Sequence, residues 1–187
     1  EATDGAIRLA HQILAESPDS YYMPNQYANP NNPLAHYETT GPEILRQSGG
    51  NIDYFVAGLG TSGTLMGLSR FFAEHAPQVK VIAVEPTLGH NIQGLKNMRE
   101  AIVPPIYDEK KFHTKLVVED EDAFAMTRLL ATEQGLFVGM SSGAAVCGAL
   151  HIAEEIGAGT IVTVLPDRGD RYLSTNLFRS HCGKCPP

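Results

Sequence analysis

Short apolar runs alternate along this chain with stretches in which apolar residues recur at helical spacing. The runs at 52–57, 79–84, 115–118 and 160–165 are typical of buried strands. The intervening stretches carry apolar residues three or four positions apart, as helices that cover a sheet do. Strand–helix–strand units of this kind form parallel sheets. The chain is therefore predicted to be an α/β protein, with a mostly parallel sheet and helices on both faces.

The first fifty residues follow a different pattern. A helix is predicted from Asp4, its N-cap, to Glu16, and a short strand over 21–23. The segment 25–33 is rich in amide side chains and prolines, which exclude a regular helix or a central strand. Two helical pieces are expected after it, with Thr39 and Thr40 capping the second, over 34–37 and 41–45.

The second half of the chain contains one long irregular segment and two helices. Residues 87–113 show little of the hydrophobic periodicity of a helix or a strand. A loop of that length in a compact domain is more often a binding or lid segment than a simple connection. A helix is predicted from the acidic residues 119–122 to about 134. A second helix, over 144–155, is rich in Ala and Gly and should pack closely against the sheet.

The most distinctive segment follows the first apolar run. It reads Gly58-Leu59-Gly60-Thr61-Ser62-Gly63-Thr64 and leads directly into a predicted helix. Glycines let the backbone approach a ligand, and the helix N-terminus adds partial positive charge. The three hydroxyls add donors. The segment is therefore predicted to be a phosphate-binding loop.

The same glycines also fit a dinucleotide site. Gly58, Gly60 and Gly63 match the G-x-G-x-x-G pattern, and Glu85 stands 22 positions after Gly63, where an acid that binds ribose is expected. Two features oppose this interpretation: the hydroxyls suit a terminal phosphate better than a pyrophosphate, and Pro86 turns the chain directly after Glu85. Neither feature decides between the two ligands.

Composition and charge argue against several classes of function. A net charge of −7 over 187 residues, without a run of Lys or Arg, argues against a nucleic-acid surface. No apolar run approaches the roughly 18 residues of a membrane span. Three cysteines make no disulfide scaffold and no signal-peptide pattern opens the chain, so a cytoplasmic protein is expected. The chain begins without Met, already in a helical pattern, so we expect it to start inside a longer protein.

Several motifs occur in order over roughly residues 1–178. They are Gln26-Tyr27-Ala28-Asn29-Pro30-Asn31-Asn32-Pro33, His36-Tyr37-Glu38-Thr39-Thr40-Gly41-Pro42-Glu43-Ile44, Gly60-Thr61-Ser62-Gly63-Thr64, Ile92-Gln93-Gly94, Gly139-Met140-Ser141-Ser142-Gly143 and Asp170-Arg171-Tyr172-Leu173-Ser174-Thr175. Together they resemble the cysteine synthase (O-acetylserine sulfhydrylase) family of fold-type II pyridoxal-phosphate enzymes, and the segments 39–40 and 167–172 favour the B-type isozyme.

The resemblance implies a cofactor, pyridoxal 5′-phosphate, and roles for particular residues. Ser141 would hydrogen-bond the pyridine nitrogen, Gln26 would contact the substrate carboxylate, and Gly94 would border the substrate. Ser62 stands where the family more often has glycine. The implied reaction is replacement of the acetate of O-acetyl-L-serine by sulfide, which gives L-cysteine. The residues expected to hold the cofactor phosphate are Gly60, Thr61, Ser62, Gly63 and Thr64.

The family's Schiff-base lysine has no counterpart in this sequence. Its Ser-x-Lys-Asp-Arg-like context is missing, and none of the six lysines has a comparable setting. We therefore expect residues 1–178 to be the C-terminal, phosphate-binding domain of the enzyme and 179–187 to be a tail. No catalytic residue and no metal ligand is assigned within the chain. We expect it to be inactive alone and the intact enzyme to be a homodimer that acts on small molecules.

Three alternatives stay open at this point. Within the family, the activity could be that of a cystathionine β-synthase, because the choice of sulfur donor depends on the loop after Glu85. From a different class, the chain could be a non-catalytic NAD- or nucleotide-binding domain, or a remnant that serves only as an interaction partner. Cys182 and Cys185 have the spacing of half a zinc site, but without a second pair a tail is the better interpretation.

Overall fold

In the part of the chain that the structure describes, four parallel strands form one central sheet. The computed structural model describes residues 2–178, and the strands lie in the order β3-β2-β1-β4. Their bounds are Tyr54–Gly58 (β1), Lys80–Pro86 (β2), Thr114–Val118 (β3) and Ile161–Thr163 (β4). All three pairings are parallel, and Val56 at the centre of β1 is in register with Ile82 and Thr163. The predicted α/β class is confirmed.

Within residues 2–178, six α-helices surround or precede the sheet. A π-helical turn, His36–Thr40, joins α2 to α3 without a break, and 3-10 turns span Glu109–Lys111 and Gly169–Tyr172. The α-helices are Ala2–Glu16 (α1), Asn31–Ala35 (α2), Gly41–Gln47 (α3), Gly63–His75 (α4), Asp120–Gln134 (α5) and Met140–Ile156 (α6).

Alternate residues of the central strands face two separate cores, which shows that helices cover both faces of the sheet. Phe55 on β1 packs into the core that contains Leu65 and Phe72 of α4. Its neighbour Val56 packs into the other core, with Ala144 and other residues of α6. This alternation follows from the period of two along a strand. Burial on both faces also explains why the central strands are continuous apolar runs.

Small residues let α6 approach the sheet. A Cβ on Gly148 would collide with the side chain of Val84, so the helix can lie at this distance only with glycine there. The expected close packing of the Ala- and Gly-rich helix is confirmed. The helix begins at Met140, four residues before the predicted start, and Gly139 occupies its N-cap position.

Four local predictions were wrong. Asp4 is not the N-cap of α1, because the helix already includes Ala2 and Thr3, and its carboxylate pairs with Lys96. The segment 25–33 is not free of helix, since α2 begins at Asn31 and Pro33 lies in its first turn, where a missing N–H is tolerated.

The other two wrong predictions concern residues 21–23 and the threonines before α3. Residues 21–23 are irregular, because aromatic residues favour a strand only where a neighbouring strand can pair with them. The hydroxyls of Thr39 and Thr40 do not cap α3, since the chain enters that helix already helical. Thr39 Oγ1 donates to the carbonyl of Ala35, while Thr40 Oγ1 contacts His36.

Within residues 2–178, no helix has the length and apolar character needed to cross a membrane. The proposed tail at 179–187, including Cys182 and Cys185, lies outside the described residues. The boundary at residue 178 therefore stays a prediction.

Candidate functional site

The glycine loop lies at the carboxyl end of β1 and leads into α4, as predicted. Gly60 is pressed against another loop, because a Cβ there would lie 2.5 Å from the carbonyl oxygen of Gly94. A Cβ on Gly63 would collide with the side-chain amide of Asn32. Glycine at both positions therefore allows three chain segments to converge at the N-terminus of α4.

Ser62 has an unusual backbone conformation and an unusual environment. Its φ of 71° is left-handed, the region that favours glycine, and this explains why glycine is the commoner residue in the resembling family. The side chain is only 3% exposed, and Oγ has no hydrogen-bond partner. A buried hydroxyl without a partner is uncommon in proteins and indicates a place where a ligand or water binds.

A cavity of about 220 Å³ opens beside this loop. All six predicted cofactor residues line it, together with Gly94, whose φ of +91° favours glycine. Ser141, only 6% exposed, contributes from the first turn of α6. The lining residues are Ala57, Gly58, Gly60, Thr61, Ser62, Gly63, Thr64, Gly94, Leu95, Ser141, Val164 and Pro166.

Two side chains that the sequence analysis did not single out contact the loop hydroxyls. Asn32 Nδ2 lies 3.1 Å from Thr61 Oγ1, and His36 Nε2 lies 3.1 Å from Thr64 Oγ1. Burial lowers the pKa of His36 below its ordinary value of 6.5. The sequence analysis placed Asn32 in a segment without regular structure, whereas in the structure Asn32 and His36 lie four positions apart on one continuous helical stretch.

Gln26 is not brought to this cavity. Its side chain is exposed and does not line the cavity, while its backbone carbonyl accepts a hydrogen bond of 2.7 Å from Asn32 Nδ2. A contact between Gln26 and a substrate carboxylate stays a prediction.

A second, larger cavity of about 860 Å³ adjoins the first at Gly94 and Leu95, which line both. Its wall carries two cationic side chains, Arg8 and Lys96, and two acidic ones, Asp4 and Glu100, together with side-chain amides. The cavity is therefore suited to a polar molecule.

Glu85, the candidate ribose-binding acid, is not available to a ligand. It is 2% exposed, and Lys115 Nζ forms an ion pair with its Oε1 at 2.9 Å. Its other oxygen accepts from the backbone N–H of Met98 at 3.4 Å. Burial by itself would lower the pKa of Lys115, but the hydrogen bond and charge of Glu85 raise it above its ordinary value. The observed pairing disfavours a dinucleotide site.

The lysines of the described part of the chain lie outside the loop cavity. Lys96 is paired with Asp4 of α1, and Lys115 with Glu85. Among residues 2–178, no group of three or more histidine, cysteine, aspartate or glutamate side chains is arranged to hold a metal ion.

Comparison with known proteins agrees with a phosphate-binding site in the glycine-loop cavity. The model of the family described as pyridoxal-phosphate dependent enzymes matches residues 1–167. The chain belongs to this family. Family membership assigns pyridoxal 5′-phosphate as the cofactor, in agreement with the resemblance seen in the sequence.

Relatives in the pyridoxal-phosphate family carry a more specific name. The chain is 43% identical to a cysteine synthase of Aquifex aeolicus over 183 residues, covering 95% of this chain and 56% of the relative. It is 38% identical to cysteine synthase B of Pseudomonas aeruginosa over 178 residues, with 95% and 59% covered. An O-acetylserine dependent cystathionine beta-synthase from Helicobacter pylori superposes with a TM-score of 0.87 at 36% identity, covering 96% and 60%. The chain thus spans little more than half the length of these relatives.

Proposed function

We propose that this chain supplies the cofactor-phosphate side of a pyridoxal-phosphate enzyme that makes L-cysteine from O-acetyl-L-serine and sulfide. The observation that carries the proposal is the buried, unpartnered hydroxyl of Ser62 in a glycine-lined cavity at the start of α4. A phosphate monoester would accept a hydrogen bond from this hydroxyl, and the partial positive charge of the helix N-terminus favours its negative charge.

The remaining residues of the cavity fit the same cofactor. Gly60, Thr61, Ser62, Gly63 and Thr64 would hold its phosphate, and Ser141, which lines the same cavity, would hydrogen-bond its ring nitrogen. When bound, pyridoxal phosphate supplies the electron sink that lets acetate leave the β-carbon and a nucleophile add there. A neutral serine hydroxyl, unlike an aspartate, does not stabilise a protonated ring, which favours β-replacement over transamination.

The substrate side of the proposal rests on Gly94 and Gln26. Gly94 lines both the loop cavity and the larger cavity, and the polar wall of the larger cavity is the proposed place of the substrate. Gln26, which is exposed, is the proposed contact of the substrate carboxylate. The solved relatives include an O-ureido-L-serine synthase and the cystathionine synthase above, so the nucleophile is the least constrained part of the proposal.

The 187 residues alone are proposed to bind pyridoxal phosphate without turning over substrate, because no lysine of the described part lines the cavity. The homodimer and the cytoplasmic location complete the proposal. The homodimer rests on the sequence resemblance. The location rests on composition, with three cysteines and an acidic balance of charge.

The proposal is tested by assaying the protein as isolated from its natural source with pyridoxal phosphate and O-acetyl-L-serine. Sulfide, homocysteine or no nucleophile is added in parallel, and acetate and the amino-acid product are measured. Acetate release with cysteine as the main product in sulfide is expected. Cystathionine as the main product would identify the runner-up, and no acetate release would refute β-replacement. Cysteine formation by the 187-residue chain alone would contradict its assignment as the phosphate side only.

A further inference from the structure

The hydroxyl of Thr61 is surrounded by donors. Its oxygen accepts from Asn32 Nδ2 at 3.1 Å and from the backbone N–H of Gly63 at 3.3 Å. The orientation of the Asn32 amide follows from its other contact, because Nδ2 also donates to the carbonyl of Gln26 at 2.7 Å. A hydroxyl has two acceptor sites and one hydrogen. With both acceptor sites occupied, the hydrogen of Thr61 is left to point at a ligand.

Thr64 has a comparable neighbour in His36. The ring lies between two threonines, with Nε2 3.1 Å from Thr64 Oγ1 and Nδ1 3.0 Å from Thr40 Oγ1. A phosphate oxygen can only accept, so Thr64 can donate to it only while accepting from His36. The hydrogen of the neutral ring must then sit on Nε2, and Nδ1 must accept from Thr40. The lowered pKa of His36 is consistent with a neutral ring.

We infer that Asn32 and His36 are positioning residues that turn the hydroxyl hydrogens of Thr61 and Thr64 toward the phosphate of the ligand. The inference rests on the proposed function, since it assumes that the cavity holds a phosphate monoester. Both residues act from α2 and the turn after it, outside the glycine loop. Donors oriented before the ligand arrives lose little freedom on binding, which increases affinity.

The inference is tested by isothermal titration of the 187-residue chain with pyridoxal phosphate and, separately, with pyridoxal, which lacks the phosphate. Asn32→Leu and His36→Phe keep size and remove the donor. Each should weaken binding of pyridoxal phosphate by up to about tenfold, because the threonine hydroxyl that donates to the charged phosphate is no longer held in its orientation. Binding of pyridoxal should not change.

Two matched variants separate orientation from packing. Asn51→Leu removes the same kind of bond at the opposite end of the sheet, where Asn51 Nδ2 donates to Thr160 Oγ1 at 3.2 Å, and should leave both affinities unchanged. His36→Gln keeps a side-chain donor near the position of Nε2 and should restore most of the lost affinity. If Asn32→Leu has a lower melting temperature than wild type in the absence of ligand, Asn32→Asp is used instead, because it keeps the shape of the side chain and replaces the donor by an acceptor.

A second readout is the ¹⁵N spectrum of the His36 ring in the chain saturated with pyridoxal phosphate. The Nε2–H form is expected, and the Nδ1–H form would overturn the inference. In the titrations, losses no larger than that of Asn51→Leu would also overturn it while leaving the proposed function intact. A wild-type chain that binds pyridoxal phosphate no better than pyridoxal would refute the phosphate site itself, and the positioning role with it.

Discussion

A polar side chain is buried at the carboxyl end of each of the neighbouring strands β1 and β2, but only the one after β1 lacks a hydrogen-bond partner and can bind a ligand. After β1, the hydroxyl of Ser62 is buried without a partner beside a cavity. At the end of β2, the carboxylate of Glu85 is buried and closed off by Lys115 and the N–H of Met98. In parallel sheets, ligands bind at the carboxyl ends of strands.

This difference separates two functions that the sequence pattern alone left open. A dinucleotide would need the glycine loop for its pyrophosphate and a free acid on the next strand for its ribose. A phosphate monoester needs only the loop. Since the acid is already paired, the structure favours the monoester, and the family match to pyridoxal-phosphate enzymes agrees.

The largest effect on stability is expected at the end of β2, where Glu85 is paired with Lys115. Lys115→Met would leave the carboxylate of Glu85 buried without its cation and should lower the free energy of unfolding by about 3 kcal/mol. Affinity of the folded chain for pyridoxal phosphate should not change. Urea denaturation and calorimetry measure the two quantities. As a control, Lys80→Met at the exposed start of β2 should alter stability by less than about 0.5 kcal/mol. Equal losses in both variants would show that the ion pair is not stabilising.

In the glycine loop after β1, adding one carbon to Gly60 should affect both ligand binding and stability. Its Cβ would lie 2.5 Å from the Gly94 carbonyl oxygen, so the two loops must separate. Gly60→Ala should cost about 1–3 kcal/mol of stability and weaken binding of pyridoxal phosphate by at least about tenfold. Gly50→Ala, with a φ of +77° but open space around it, should cost about 1 kcal/mol without changing affinity. Unchanged affinity in Gly60→Ala would place the ligand elsewhere.

Replacing Ser62 should shift stability and affinity in opposite directions. Ser62→Gly relieves a left-handed φ and should raise the free energy of unfolding by about 1 kcal/mol. The loss of its hydroxyl should weaken binding of pyridoxal phosphate by roughly three- to tenfold. Ser69→Ala on the same helix is the control, because its hydroxyl is also buried and unpartnered but does not line the cavity. Weaker binding in Ser69→Ala alone would contradict the assignment of Ser62.

The smallest effect is a dependence of stability on pH. Burial lowers the pKa of His36 below its ordinary value of 6.5. As the pH falls, His36 is therefore protonated in the unfolded chain at a higher pH than in the folded chain. Stability from this group is fully present above about pH 6.5 and is lost as the pH falls toward the folded pKa. His36→Gln should therefore lose less stability than wild type between pH 7.5 and 5. The exposed control His11→Gln should follow wild type, and a wild-type slope in His36→Gln would show that His36 is not the group responsible.

The sequence predicted those features that depend on local pattern. The four strands and the glycine loop follow from short runs of residues and lie close to the predicted positions, but β3 and β4, at the edges of the sheet, are only partly buried. The contacts of Asn32 and His36 with the loop join residues 29 and 28 positions apart, and hydrophobic periodicity carries no signal for such pairs. The pairing of Glu85 with Lys115 escaped prediction for the same reason. Without it, Glu85 remained a candidate for binding ribose.

The central claim, that the loop after β1 binds the phosphate of pyridoxal phosphate, is tested most directly by one competition titration. The 187-residue chain is titrated with pyridoxal phosphate in buffer, with excess inorganic phosphate and with excess NAD. Inorganic phosphate should weaken the apparent affinity in proportion to its concentration, while NAD at the same concentration should have a much smaller effect. Binding that is displaced by NAD and unaffected by inorganic phosphate would contradict the account and restore the dinucleotide site.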